Sequence, residues 1–270
     1  MRVGFIGLGS QGGPMARRIV DAGFPTTLWA RRAESLEPYA DTAAATADSP
    51  AALAKASDVV CLCVVDDDGV REVGAQVLDG LAGGGVLVVH STVHPDTCRT
   101  LAEQAAKQGV ALIDAPVSGG GQAAAEQRLL VMAGGDPAVI EKTRPIFDTY
   151  ANPFLHLGPL GAGQAAKILN NLLLTANLGV AEAAYALGRA LELDLASLNK
   201  VFASGSGNSF AASLLLSGEP YSAARMTEVA GPLLQKDVRL AVDLAAAAGV
   251  DAGAVLPAAD SALTSMKHAR

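Results

Sequence analysis

The chain is 270 residues long with a formal net charge of −7, and 50% of its residues are hydrophobic although only 4% are aromatic. That length accommodates one large or two moderate domains, with a core built mainly from Ala, Val and Leu. The acidic balance, without any Lys/Arg run interleaved with aromatics, argues against nucleic acid or an anionic membrane as partner, while local charges remain able to hold small anions. The three cysteines, Cys61, Cys63 and Cys98, form neither an even disulfide set nor a zinc pattern. His90, His94, His156 and His268 have no metal-ligand spacing, so no metal is assigned. The opening MRVGFIGLG carries a single charge and runs into a glycine motif, unlike a secretory signal, which predicts a reduced, cytoplasmic protein.

In chain order, residues Arg2 to Ile6 read as a short apolar strand and Met15 to Ala22 as a helix. Between them stand Gly7, Leu8, Gly9, Ser10, Gln11 and Gly12, a GxGxxG turn. The pattern alone is weak in a chain with 29 glycines, but strand and helix on either side make it strong. The first glycine permits the tight turn, the second lets backbone approach a pyrophosphate, and the third lets helix and strand pack closely. Free N–H groups and the helix dipole then favour the phosphates. A second strand, Thr26 to Ala30, ends where an NAD-binding chain usually places an acidic residue for the ribose hydroxyls; here Arg31 and Arg32 follow instead. Guanidinium groups there favour a 2′-phosphate, hence NADP(H) over NAD, the alternative being two solvated loop arginines.

Ser49 and Pro50 have the character of an N-cap and first helical residue. The run from Asp58 to Val65 suits a strand buried on both faces. A helix near Val70 to Leu78 and a strand from Gly85 to Ser91 follow, and Pro95 opens the next helix. Thr92 is thereby expected at the carboxyl edge of the sheet, where open α/β folds bind ligands. The strand Val110 to Ala115 leads into Ser118, Gly119 and Gly120, expected as a loop whose N–H groups and hydroxyl hold a carboxylate, or as an ordinary strand-ending turn. Further strands at Leu129 to Ala133 and Phe154 to Leu157 flank a helix near Ala138 to Phe147.

From Gln164 to about Leu193 the pattern is helical and free of proline. Lys167, Asn170, Asn171, Asn177 and Glu182 interrupt it too often for a membrane span, which needs about 20 apolar residues. Lys167 and Asn171 share one helical face, so an ammonium and a carboxamide can reach one substrate oxygen. An arbitrary lysine near a helix start simply faces water, but Ala165, Ala166, Ile168, Leu169 and Leu172 leave this one little polar company. Past Asp194 the pattern stays helical, with loops at Gly205 to Ser209 and Gly218 to Tyr221 and a helix from Leu233 to Ala248 that carries Lys236 and Asp237.

The set GFIGLGSQG at 4–12, STVHP at 91–95, DAPVSGG at 114–120, GxxGxGxxxKxxxN from Gly158 to Asn171, and LLQKD at 233–237 resembles the β-hydroxyacid dehydrogenase family along nearly the whole chain. The resemblance implies an α/β Rossmann-like N-terminal domain, 1–160, and an all-α C-terminal substrate and dimerisation domain, 161–270, joined by a long helix. It implies an NAD(P)-dependent oxidoreductase acting on a small carboxylate-bearing β-hydroxy acid or its semialdehyde, as a homodimer or homotetramer. Under it Lys167 is the general acid/base, Asn171 orients it or the substrate, and Ser118, Gly119 and Gly120 hold the carboxylate. Lys236 and Thr92 line the nicotinamide and substrate pocket, with Val64 and Val65 beside the cofactor. Burial, or a second cation such as Lys236, would lower the lysine's pKa towards working pH.

Several residues depart from the family pattern. Gln11 stands for the usual Met, Val65 for Pro, and the common GAxxGTL becomes Ala123 to Leu129 with Arg128 in place of Thr. Val229 replaces a pocket Phe, which widens the expected pocket. An imine reductase of the same architecture is the second enzyme reading, although such relatives usually lack a lysine at this position; a non-catalytic NADP-binding protein is the third.

Overall fold

A computed structural model describes residues 1–215 and 221–270. The chain divides into two compact units, Met1–Lys167 and Ile168–Arg270. The first begins β1 (Val3–Ile6), α1 (Gly12–Asp21), β2 (Thr26–Trp29), a 3-10 turn (Ala33–Tyr39), β3 (Ala45–Thr46), α2 (Pro50–Lys55), β4 (Val59–Leu62), α3 (Asp67–Leu78), β5 (Val86–Val89), α4 (Pro95–Ala106) and β6 (Ala111–Asp114). These strands form one sheet in the order β3-β2-β1-β4-β5-β6, and every pairing is parallel. The order reverses between β1 and β4, so a crevice opens beyond their carboxyl ends, the ligand position of a Rossmann-like sheet.

The central strands β1, β4 and β5 are buried along their whole length because both faces are covered. Val3, Phe5, Cys61, Val88 and Ile113 pack on one side with Met15, Ile19 and Phe147. Ile6, Val60, Leu62, Leu87 and Val89 pack on the other with Leu53, Val73 and Leu101. The helices are stopped and started by local chemistry. Ser49 Oγ accepts from Ala52 N at 3.1 Å, Asp66 from Gly69 N at 2.9 Å and Asp136 from Ala138 N at 2.8 Å, each such cap contributing about 1 kcal/mol. His94 caps α4 by accepting from Asp96 N at 3.2 Å.

A second sheet follows from β7 (Val117–Ser118), α5 (Gly120–Ala125), β8 (Leu129–Ala133), α6 (Pro137–Phe147) and β9 (Ala151–His156). β8 is central, paired antiparallel with β7 and parallel with β9. Here the expectation of a plain loop at Ser118–Gly120 is corrected. Ser118 ends a strand, Gly119 caps, and Gly120 already begins a helix. The glycines that suggested a loop are instead needed for a sharp strand-to-helix corner, since Gly119 and Gly120 have φ of +128° and +75°.

α7 (Ala162–Ala190) starts in the first unit and runs into the second, which continues with α8 (Leu195–Ser204), α9 (Phe210–Leu215), α10 (Gly231–Ala248) and α11 (Val255–Ser265). The second unit's core gathers Ile168, Leu172, Tyr185, Tyr221, Val238 and Leu263. α10 begins two residues earlier than the sequence pattern indicates, with Pro232 in its first turn, and ends at Gly249 in the left-handed conformation. Of the loop expected at Gly218 to Tyr221, all but Tyr221 lies outside the described residues. Among the described residues no helix is long and apolar enough to cross a membrane.

Candidate active site

The three glycines after β1 occupy three different environments. A Cβ on Gly7, whose φ is +97°, would lie 1.9 Å from the Cys63 carbonyl oxygen, and one on Gly12 would lie 2.0 Å from the Gly7 carbonyl oxygen. A Cβ on Gly9 would meet nothing within 4 Å. The outer two are therefore glycine so that the protein can close on itself, whereas the middle one faces open space. This is the cradle a pyrophosphate requires, and the residues present fit a dinucleotide. Gln11 caps α1 without a side-chain hydrogen bond to the helix backbone; its amide instead reaches Met15 Sδ at 3.7 Å. The Gln11 side chain thus leaves the helix start uncapped; Gly13 N donates to the Gly9 carbonyl at 2.8 Å and Pro14 has no N–H, so Gly12 and the turn before it are what α1 offers an anion. Leu8 is buried, and Ser10 presents its carbonyl to Gly121, where a Cβ would come within 2.3 Å. The corner after Ser118 consequently packs directly on the glycine turn.

Arg31 and Arg32 follow β2 and are exposed; Arg31 lies 3.9 Å from Glu72, an ion pair too open to hold the guanidinium firmly. After β4, Val64 N donates to Ser91 Oγ at 2.8 Å, while Val65 is 69% exposed. Thr92 lies between Ser91 and Val93, beyond the end of β5, at the carboxyl edge of the sheet. Both of those neighbours are held by one side chain. Gln164 Nε2 donates to the Ser91 carbonyl at 2.8 Å, and its Oε1 accepts from Val93 N at 3.1 Å. The backbone N–H of Gln164 donates to Asp114 Oδ2 at 2.7 Å, and Gly161 N donates to Asp114 Oδ1 at 2.7 Å. Asp114 is fully buried, and burial raises its carboxyl pKa against the opposing pull of these N–H donors. A Cβ on Gly163 would lie 2.2 Å from the Met132 carbonyl, so glycine lets the start of α7 sit this close to β8.

Lys167 closes the first unit at 8% exposure, one helical turn before Asn171, also 8% exposed. Within the second unit, Asn171 Nδ2 donates to Asp237 Oδ2 at 2.5 Å, and Lys236 Nζ donates to Asp237 Oδ1 at 2.8 Å. Asp237 is buried, so one carboxylate holds both an amide and an ammonium. The charge of Lys236, expected from the sequence to act as a second cation, is thus answered by its own neighbour. Val229 is 81% exposed.

Three residues of these networks escape a sequence reading. Asp114 and Asp237 stand inside quoted motifs, yet spacing gives no hint of what their carboxylates accept. Gln164 is signalled only as a polar side chain among alanines and glycines, three residues before Lys167. Among the described residues no three His, Cys, Asp or Glu side chains are arranged to hold a metal ion.

Residues 2–158 match the NAD binding domain of 6-phosphogluconate dehydrogenase, and residues 161–269 match the NAD-binding domain of NADP-dependent 3-hydroxyisobutyrate dehydrogenase. An NAD-dependent L-serine dehydrogenase of Pseudomonas aeruginosa is 34% identical over 78% of this chain and 72% of its own length. A solved 3-hydroxyisobutyrate dehydrogenase of Mycobacterium tuberculosis, with L-serine, is 30% identical with a TM-score of 0.87, covering 99% of this chain and 94% of that one. The structure of Psf3 in complex with NADP+ and 2-OPP is 28% identical with a TM-score of 0.81, covering 98% of this chain and 93% of that one.

Proposed function

The chain belongs to the β-hydroxyacid dehydrogenase family, and we propose that within it this protein is an NADP(H)-preferring enzyme interconverting a small β-hydroxy acid and its semialdehyde. The observation that carries this reading is Lys167, a buried lysine one helical turn from Asn171, on a helix whose first turn is tied through Asp114 and Gln164 to the carboxyl edge of a dinucleotide-type sheet.

In this reading the turn from Gly7 to Gly12, at the positive end of the α1 dipole, holds the pyrophosphate. Arg31 and Arg32 favour a 2′-phosphate, while Val64, Val65, Thr92 and Lys236 border the nicotinamide. When bound, the reduced nicotinamide supplies the hydride. Ser118, with the backbone of Gly119 and Gly120, holds the substrate carboxylate. The Lys167 ammonium gives its proton to the carbonyl oxygen as the carbonyl carbon gains hydrogen, so a C–H and an O–H bond form while the C=O π bond breaks. In the oxidising direction the neutral amine takes that proton back, and Asn171 orients the lysine or the oxygen. L-serine, named for two of the relatives above, is itself a β-hydroxy acid carrying a carboxylate, which supports the substrate class. The NADP+ complex supports the cofactor choice, against which stands the NAD dependence named for the serine dehydrogenase. Val229, with no ring to fill the space, suits a substrate bulkier than serine.

Leu169, Leu173, Val180 and Leu187 recur along one side of α7 and are each more than half exposed, which supports self-association as a homodimer or homotetramer. Free, unpaired thiols fit the cytoplasm. The test is NADPH and NADH oxidation with semialdehydes, glyoxylate and cyclic imines, for wild type beside Lys167→Ala. Semialdehyde turnover with NADPH that falls about 10²- to 10⁴-fold in the variant is expected. Imine turnover indifferent to Lys167, or cofactor binding with no turnover, overturns the reading.

A further inference from the structure

We propose that Gln164 is a positioning residue for catalysis, setting Lys167 against the Thr92 segment without touching substrate or cofactor itself. This rests on the acid/base reading of Lys167. The side chain of Gln164 is fully buried, so it is not a ligand-binding group, and it makes two hydrogen bonds of opposite sense. Its amide N–H donates to the carbonyl of Ser91 and its amide oxygen accepts the N–H of Val93, so it brackets Thr92 from both sides. Only a group with one donor and one acceptor at this separation satisfies both. Gln164 precedes Lys167 by three residues, so the two side chains leave the helix on neighbouring faces. Rotation or sliding of α7 that displaces Lys167 therefore has to break the bracket.

The same residue is anchored from a second direction. Its backbone N–H and that of Gly161 occupy the two oxygens of Asp114, the last residue of β6. The backbone of Asp114 is in turn paired with Gly134, through N–H to carbonyl at 3.1 Å one way and 2.8 Å the other. β6 feeds the corner at Ser118, four residues on. The Thr92 segment, the strand leading to the carboxylate corner and the start of the lysine helix thus meet at one residue, through its side-chain amide and its backbone N–H. Ser91 extends the chain of contacts to Val64 through its hydroxyl. The side-chain bonds among these belong to no sheet ladder; what they determine is the offset between three elements that each contribute a site residue. A misplacement of about 1 Å at a reacting group costs on the order of 100-fold in rate.

The experiment compares wild type, Lys167→Ala, Gln164→Leu and Gln164→Glu, with NADPH and with succinic semialdehyde and glyoxylate as probes. In Gln164→Leu, kcat is expected to fall about 100-fold while the KM for NADPH stays within about twofold. Gln164→Glu carries the sharper readout. A protonated carboxyl offers one O–H donor and one C=O acceptor, as the amide does, whereas the carboxylate offers acceptors only and faces the Ser91 carbonyl with like charge. Its turnover relative to wild type is therefore expected to recover as pH falls from about 9 to about 6, since burial raises a carboxyl pKa. A deficit in Gln164→Glu that does not change with pH, or unaltered turnover in either variant, overturns the positioning role. So does a loss in Gln164→Leu that follows lowered thermal stability and weakened NADPH binding in proportion; if that variant does not fold, the pH response of Gln164→Glu decides. Wild-type turnover in Lys167→Ala overturns the acid/base reading instead.

Discussion

Two buried polar networks, one in each unit, are held by different means. In the first, main chain answers side chain: Asp114 takes N–H groups, and Gln164 takes one N–H and gives to one carbonyl. In the second, side chain answers side chain, with Asn171 and Lys236 sharing Asp237. Backbone partners cannot be mutated away, so the first arrangement depends on the identities of Asp114 and Gln164 alone. The second depends on three residue identities at once, with Asp237 the one whose loss removes both bonds.

That contrast can be broken with acid. His90 is fully enclosed, stacked near Phe5 and edge-on to Phe147 and Tyr150, and its Nε2 lies 3.2 Å from the Tyr150 hydroxyl. Burial lowers its pKa from 6.5 to about 4, opposed by the bond to Ala115. The folded state thus prefers the neutral ring, and the preference is complete above the unfolded value. It drains away as pH falls from about 6.5 to about 4, at a cost of about 3 kcal/mol. Hydrogen exchange at neutral pH and near pH 4 should show protection lost in residues 1–167, and His90→Phe should blunt that response; equal loss in both units refutes it. Asp237→Ala should do the converse. It removes the carboxylate that accepts from the buried Asn171 amide, lowering the stability of residues 168–270 by about 2–3 kcal/mol in urea, with amides of 1–167 unmoved. The smallest effect sharpens the backbone side of the contrast. Gln127, which stands where the family pattern has glycine, lies in the left-handed region at φ 55°. Gln127→Gly should raise the urea midpoint by about 0.5–1 kcal/mol of stability, relief of the left-handed conformation outweighing the entropy of glycine.

Legibility in the sequence followed the same division. Gly7, Gly9 and Gly12 are readable because each spacing states a backbone demand, and the structure gives each its own reason. The buried strands are readable because two cores impose unbroken apolar runs. The corner at Gly119 was not, since glycine signals a loop and a tight helix start alike. Gln164 was missed because its partners, Ser91 and Val93, lie 73 and 71 residues upstream, beyond any local pattern. Asp237 and Lys236 are adjacent in sequence, yet nothing in adjacency indicates that Asn171, 66 residues earlier, completes the group. Charge was legible at Arg31; its neighbour Glu72 was not.

Cys61, Cys63 and Cys98 all belong to the first unit, and the chain has no others. Burial pushes the Cys63 thiol up to about 12 and raises the other two as well, so each is kept from the reactive thiolate. In the intact protein Cys63 is half-buried, whereas Cys61 and Cys98 are closed to a thiol-alkylating reagent. The rate at which those two are nonetheless labelled therefore measures how often the first unit opens, while openings confined to the helices past Lys167 leave no mark. The molecule carries its own clock for one half of itself, and the hand is sulfur.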